Sequence, residues 1–303
     1  MTSASGFETW LQYVDGFKLR HFCGFELLND PGGLACLTEY HRKVVEAAVL
    51  NGFGVINEGL HYRASRDWGE LIGFSREGLE EINVRGIEFY KDFARQYGSA
   101  DTPMIVGGVI GPRGDAYNSG RTPNAAESED YHSEQILTFR KAGADLVTAL
   151  TFSSVEEAIG LARAARSAEM PVVVSLFVAR GGHLRGGETI EEAITRVDAA
   201  TGKGPLYYMI NCTHPTEFEP GLTPGDWTDR LGGFMPNAVA METLDLCKLG
   251  HLEDGDPEEL GGQMARLAGR FSHVNVWGGC CGTDSRHICE ITQRVSKVRK
   301  AAD

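Results

Sequence analysis

Short apolar runs and segments of helical period alternate from one end of the chain to the other. Gly54–Asn57, Met104–Val109, Asp145–Ala149, Val172–Phe177, Leu206–Asn211, Gly233–Val239 and Val274–Trp277 are brief and mostly apolar. Continuous rather than alternating hydrophobicity is the mark of strands covered on both faces, as in a parallel sheet. Between them, Leu37–Asn51, Tyr131–Ala142, Val155–Ser167, Ile190–Thr201, Pro257–Ala268 and Arg286–Lys300 repeat apolar residues at three- and four-residue intervals, as amphipathic helices do. Ser154, Thr189, Asp256 and Asp284 stand where N-caps belong. Leu11–Asp15 reads as an eighth strand. A strand feeding a helix eight times predicts an α/β fold, a single (β/α)8 TIM barrel over residues 1–303. The alternative, an open doubly wound sheet, lacks its Gly-rich fingerprint after the first strand. Two stretches interrupt the alternation. Asn211–Gly233, rich in Gly and Pro, reads as a long loop, and Leu60–Glu81 as an aperiodic segment that covers a site.

Composition narrows the partners more than the fold. The 303 residues carry 29 basic and 42 acidic side chains, net −13, which disfavours nucleic-acid and anionic-membrane surfaces. No apolar run is long enough to span a bilayer, and MTSASGFETWLQYVDG has no signal-peptide pattern, so a cytoplasmic location is expected. The seven cysteines, at 23, 36, 212, 247, 280, 281 and 289, do not resemble a secreted disulfide framework.

Two cysteine positions carry chemistry. Val276–Thr283 reads VWGGCCGT at the end of the last strand, and Ile210-Asn211-Cys212 ends another. Adjacent cysteines strain a mutual disulfide but can turn together toward one ion. Gly278, Gly279 and Gly282 allow close backbone approach and positive φ. In a barrel both strand ends share the rim where active sites lie. Three thiolates suit zinc with a fourth position open to substrate. Spacing alone leaves the other reading standing, that these cysteines are small core residues like Cys23, Cys36, Cys247 and Cys289.

The motifs resemble the zinc-dependent homocysteine S-methyltransferase family, which includes betaine– and S-methylmethionine–homocysteine methyltransferases and the homocysteine module of methionine synthase. The resemblance runs through VDG at Val14–Gly16, GGVIGPRGDAY at Gly107–Tyr117 and YHSEQILTFRKAGADL at Tyr131–Leu146. It continues in GGETIEEAI at Gly186–Ile194, INC at Ile210–Cys212, PNA at Pro236–Ala238 and WGGCCGTDSRHI at Trp277–Ile288. It implies Zn2+ on Cys212, Cys280 and Cys281, and methyl transfer from a sulfonium or quaternary-ammonium donor to a metal-activated thiol, homocysteine giving methionine. It also implies that Asp15, with Gly16, meets the substrate amine. Asn211 is expected as a polar wall or a donor to the metal's sulfurs. The partners so implied are a small thiol acceptor and a methyl donor.

The chain departs from the family where the acceptor is held. Leu150 stands where the family carries the glutamate that binds the homocysteine amino group, and Gly59–Tyr62 (GLHY) replaces a Thr-Asn-Thr-Phe stretch. The first loop, VDGFKLRHFCGFELL, lacks the usual glycine doublet and Thr-Glu. A buried ammonium without a counter-charge is costly, so a different small thiol or selenol is the alternative acceptor, and a non-catalytic zinc- or thiol-binding barrel the alternative class. Glu58 is a substitute partner for the amine, against a plain solvated loop carboxylate. Tyr62, Trp68, Tyr117 and Phe152 are candidate aromatic faces for a cationic donor, against ordinary packing. His287 reads as a cap or a support to the ligands, and His214 as a loop residue. The length matches compact S-methylmethionine-using members and leaves no room for cobalamin and folate modules.

Overall fold

The structure is a computed structural model that describes all residues except 4, 5, 118–121, 242, 247 and 303. Seven parallel strands form one sheet in sequence order: β1 (Val55–Asn57), β2 (Met104–Ile110), β3 (Leu146–Phe152), β4 (Val172–Leu176), β5 (Tyr208–Asn211), β6 (Leu231–Met235) and β7 (Val276–Trp277). The helices are α1 (Phe7–Tyr13), α2 (Pro31–Leu50), α3 (Arg66–Leu71), α4 (Arg76–Tyr97), α5 (Ala125–Ala142), α6 (Val155–Ser167), α7 (Ile190–Thr201), α8 (Pro215–Phe218), α9 (Thr243–Leu246), α10 (Pro257–Arg270) and α11 (Ser285–Ala302). None of them is long and apolar enough to cross a membrane.

The sheet curls. Each strand places one side chain in a single inner cluster, Ile56, Val109, Leu150, Val173, Met209, Met235 and Val276, while a larger cluster packs the helices on the outside. Burial on both faces is why the runs are continuously apolar; Val172, Val173 and Val174 are all buried. Helix starts follow the caps. Thr189 with Glu192, and Asn124 with Glu127, form reciprocal capping boxes, and the Ser154 hydroxyl accepts from the Glu157 N–H.

The strand expected at Leu11–Asp15 is not one. Phe7, Glu8 and Leu11 turn one buried face inward, and the Val14 N–H closes α1 on the Trp10 carbonyl at 2.8 Å. Phe7, Leu11 and Val14 follow helical spacing, which was the available signal. The gap between β1 and β7 is instead bridged by Met1–Ser3. The Thr2 N–H donates to Gly54 O (2.9 Å) and its carbonyl accepts from the Ile56 N–H (2.8 Å). On the other side the Met1 carbonyl accepts from the Trp277 N–H (3.1 Å), and the Ser3 carbonyl from the Gly279 N–H (3.2 Å). A Cβ on Gly278 would collide with the Ser3 carbonyl, so glycine is required at this crossing.

The long aperiodic stretches are partly helical. Leu60–Glu81 contains α3 and the start of α4, and Asn211–Gly233 contains α8 and short 3-10 turns before β6. Cys247 lies outside the described residues.

Candidate metal centre and substrate cavity

β5 and β7 run parallel with β6 between them, so Cys212 and Cys280 emerge at the same edge of the sheet. The Sγ atoms of Cys212, Cys280 and Cys281 lie within 4.8 Å of one another, the one such cluster among the described residues. Cys212 and Cys280 are in disulfide contact, with Cα atoms 5.5 Å apart. Both are buried, and Cys281 is half-buried. Backbone bonds fix the bearing segments: the Cys212 N–H donates to Met235 O (3.1 Å), Cys280 N–H to Pro236 O (2.7 Å), and Ala238 N–H to Cys281 O (3.0 Å). Gly282 takes φ 80°, turning the chain directly after the cysteine pair.

Two non-glycine residues beside the cluster hold left-handed backbone, Cys212 at φ 57° and Thr151 at φ 67°. Each costs about 1–2 kcal/mol, and a β-branched residue there is unusual. Asn211 braces Thr151 and directly precedes Cys212. Its Oδ1 accepts from the Thr151 N–H (3.0 Å) and the Ser175 hydroxyl (2.6 Å). Its Nδ2 donates to Thr151 Oγ1 (3.2 Å) and faces Cys280 Sγ at 3.9 Å. Asn237 Nδ2 donates to the Cys212 carbonyl (2.9 Å). Strain at a functional site is retained only where surrounding bonds over-determine it.

The donor set fits zinc. Three soft sulfurs from two strand ends converge within 4.8 Å of one another; zinc–sulfur bonds of about 2.3 Å need sulfurs roughly 3.8 Å apart, so Cys212 and Cys280, here in disulfide contact, would bind the ion as separated, reduced thiols. Cys212, Cys280 and Cys281 all line a cavity of about 360 Å³, together with Asn211, Leu150 and Thr151. The cavity therefore opens on the sulfurs.

The remaining expected site residues divide. Tyr62 and Tyr117 line the cavity. Trp68 does not; it stacks on the Arg63 guanidinium, 4.1 Å from its ring centre. Phe152 is fully buried against His132. Asp15 and Gly16 are exposed and lie outside the cavity, Asp15 lining a separate depression beside Cys36 and Arg286. Glu58 is neither solvated nor in the cavity. It is 1% exposed and accepts from Ser3 Oγ (2.7 Å) and Thr148 Oγ1 (2.5 Å). Burial raises its carboxyl to about 7, against the pull of those two hydrogen bonds. His287 is buried and binds Asp254 O at 2.8 Å and Asp284 Oδ1 at 3.2 Å, at the start of α11. His214 caps α8. Burial pushes the Cys23 thiol up to about 12, which keeps it protonated and unreactive.

Sequence reasoning missed Glu8, Arg63 and Asp115, all on the cavity wall. Arg63 Nη2 meets Asp115 Oδ2 at 3.0 Å, and its Nη1 donates to the His21 carbonyl at 2.6 Å. Glu8 is 5% exposed, and burial raises its carboxyl to about 8 while its own backbone N–H and Arg63 pull the other way. An acid between buried Phe7 and Leu11 was the only sequence cue.

Fold and site together define an α/β protein with a thiol cluster at the ends of parallel strands. A sequence profile of homocysteine S-methyltransferases matches residues 10–295, and the chain belongs to that family. It is 26% identical over 228 residues to betaine–homocysteine S-methyltransferase 1 of Rattus norvegicus, covering 69% of this chain and 53% of that protein. Methionine synthase of Mycobacterium tuberculosis is 26% identical over 304 residues, 95% of this chain and 23% of that one. The chain thus spans about half the length of the rat relative, and less of methionine synthase. The metallated form of the homocysteine methyltransferase MmuM from Escherichia coli superposes with a TM-score of 0.74 at 17% identity, over 97% of this chain and 95% of that one.

Proposed function

We propose that the chain is one catalytic unit, a zinc-dependent methyltransferase that moves a methyl group from a sulfonium or quaternary-ammonium donor to a thiol, with homocysteine giving methionine. The observation that carries this reading is the convergence of three cysteine sulfurs on one cavity in a member of this family. In this reading Met1–Ser3 serves as the eighth strand of a (β/α)8 barrel, and a reducing cytoplasm keeps the thiols available to metal. Cys212, Cys280 and Cys281 would hold the ion, which when bound supplies a thiolate at neutral pH, where a free thiol of pKa near 8.5 is mostly protonated.

The chain's own residues then position and enclose. Asn211 holds the Thr151 backbone and faces the Cys280 sulfur, and Asn237 donates to the Cys212 carbonyl. Leu150 and the aromatic rings of Tyr62 and Tyr117 form an apolar wall that excludes water, and ring faces attract an onium methyl donor. Transfer of the methyl cation leaves the donor neutral, so no general acid is required. A second reading, transfer to a thiol without an amino group, is favoured by one feature, the uncharged Leu150 on the cavity wall.

The test is methionine detected by mass spectrometry after mixing zinc-loaded protein, homocysteine and S-methylmethionine, beside the Cys212→Ala, Cys280→Ala and Cys281→Ala variants. The expected result is methionine from wild type only, with zinc content falling from about one equivalent to near zero in each variant. A variant with undiminished zinc removes that cysteine from the site. Absence of methionine from zinc-loaded wild type, with other thiols methylated, establishes the second reading.

A further inference from the structure

The cavity that opens on the cysteines contains a buried carboxyl group with no side-chain partner among the described residues. Glu8 lines the cavity and is 5% exposed. Apart from its own backbone N–H, no group among the described residues donates a hydrogen bond to it or forms an ion pair with it. A carboxyl group removed from water without a partner is unfavourable by several kcal/mol when ionised. Phe7 and Leu11 pack inward on either side of it in α1, and a Cβ on Gly24 would press on its Cγ, so its burial is built in rather than incidental.

Its surroundings are complementary to one kind of molecule. Arg63 is close enough to act on the Glu8 carboxyl through its charge, and it too lines the cavity. The guanidinium is anchored by Asp115, by the His21 carbonyl and by stacking on Trp68. Arginine carries five N–H donors, and these two hydrogen bonds leave others for a ligand. One wall therefore offers an acid that lacks a cation, and beside it a fixed cation. An α-amino acid presents the matching pair, an ammonium and a carboxylate on a single carbon. Leu150, an apolar side chain on the same cavity, offers an ammonium group no alternative partner.

We propose that Glu8 determines acceptor specificity: its carboxylate pairs with the ammonium group of an α-amino thiol whose sulfur lies at the cysteine cluster and whose carboxylate faces Arg63. This rests on the thiol-methyltransferase reading above. Glu8 is a binding residue and takes no part in the methyl transfer itself. A ligand ammonium lets the buried acid ionise, its proton passing to solvent, and a thiol lacking that group leaves the acid without an ion pair.

The experiment is calorimetric titration of zinc-loaded wild type and Glu8→Gln with three thiols. L-homocysteine carries both head groups, 3-aminopropane-1-thiol only the amine, and 4-sulfanylbutanoate only the carboxylate. Removing a charged hydrogen bond of this kind weakens binding about 10- to 100-fold. Glu8→Gln should therefore lose that much for homocysteine and 3-aminopropane-1-thiol, and less than about threefold for 4-sulfanylbutanoate. An equal loss for all three thiols, or no loss for any, overturns the proposal. Should Glu8→Gln fail to fold by circular dichroism, Glu8→Asp retracts the charge by one methylene. It should lower the homocysteine to 4-sulfanylbutanoate affinity ratio several-fold, and an unchanged ratio overturns the proposal. Wild type that binds 4-sulfanylbutanoate but not homocysteine refutes the role of Glu8 while leaving methylation of other thiols intact. Glu8-dependent homocysteine binding without turnover by any donor refutes the methyltransferase reading and leaves Glu8 as the ammonium partner.

Discussion

Replacing Asn211 by alanine should cost about 3–4 kcal/mol of stability and weaken metal binding as well. The side chain is fully buried, and its removal leaves the Thr151 N–H and the Ser175 hydroxyl without their acceptor. An unsatisfied buried backbone donor costs about 1–3 kcal/mol; a hydroxyl, which can rotate, costs less. The vacated volume adds roughly 1 kcal/mol. Beyond this sum, Thr151 and Cys212 both hold left-handed backbone, and Asn211 bonds the first and precedes the second. With the amide gone, relaxation of either residue moves the Cys212 sulfur. Asn211→Asp keeps the acceptor and loses the Nδ2 donor, so it should retain more of the stability while adding charge near Cys280. Urea unfolding followed by circular dichroism and tryptophan fluorescence, in reductant and chelator, measures the first effect without the metal's own contribution. Zinc competition against a chromogenic chelator measures the second. A loss below about 1 kcal/mol with unchanged zinc affinity would refute the account of Asn211 as the residue that ties the strained strand ends together.

Two further outcomes follow from buried groups. Glu58 has its carboxyl raised from 4.5 to about 7 in the folded protein. Its favourable contribution is therefore complete below about pH 4.5 and lost as pH rises to 7, a change of about 3 kcal/mol. Glu58→Gln does not titrate, so unfolding free energies of wild type and variant should diverge across that window in favour of the variant; parallel pH curves would contradict the assignment. Leu150→Glu places a carboxylate on the same cavity as Glu8, and kcat/KM for homocysteine relative to 4-sulfanylbutanoate should rise, most clearly in the Glu8→Gln background. An unchanged ratio in both backgrounds would show that Leu150 has no part in acceptor choice.

Much of the sheet was legible because a buried parallel strand leaves an unbroken apolar run. Val155–Ser167 and Ile190–Thr201 coincide with their helices to the residue, because Ser154 and Thr189 specify where the backbone N–H groups find acceptors. Cys280 and Cys281 were visible for another reason: CC between glycines at a strand end is locally unusual. Leu11–Asp15 failed as a strand because five residues contain too little periodicity to separate it from α1, and Met1–Ser3 has no pattern at all. What bridges β7 and β1 is a set of hydrogen bonds from Met1–Ser3 to residues about 50 positions away on the β1 side and more than 270 away on the β7 side. No local signal encodes that.

The wall of the cavity was decided in the same way. Asp15, within the VDG of Val14–Gly16, lies outside the cavity, while Glu8, seven residues earlier in the chain, lies on its wall. A charge gains its meaning from what it is buried against, and that depends on how α1 and the ends of β1, β3, β5 and β7 converge. The sequence by itself determined most of the alternation of elements, their caps and the adjacent sulfurs of Cys280 and Cys281, because propensity, capping and residue chemistry act over a few neighbours, whereas Cys212 was assigned only through the family resemblance. Only the tertiary structure decided which acids line the cavity, which strand ends are strained and how β1 and β7 are joined, because these depend on distances between segments far apart in the chain.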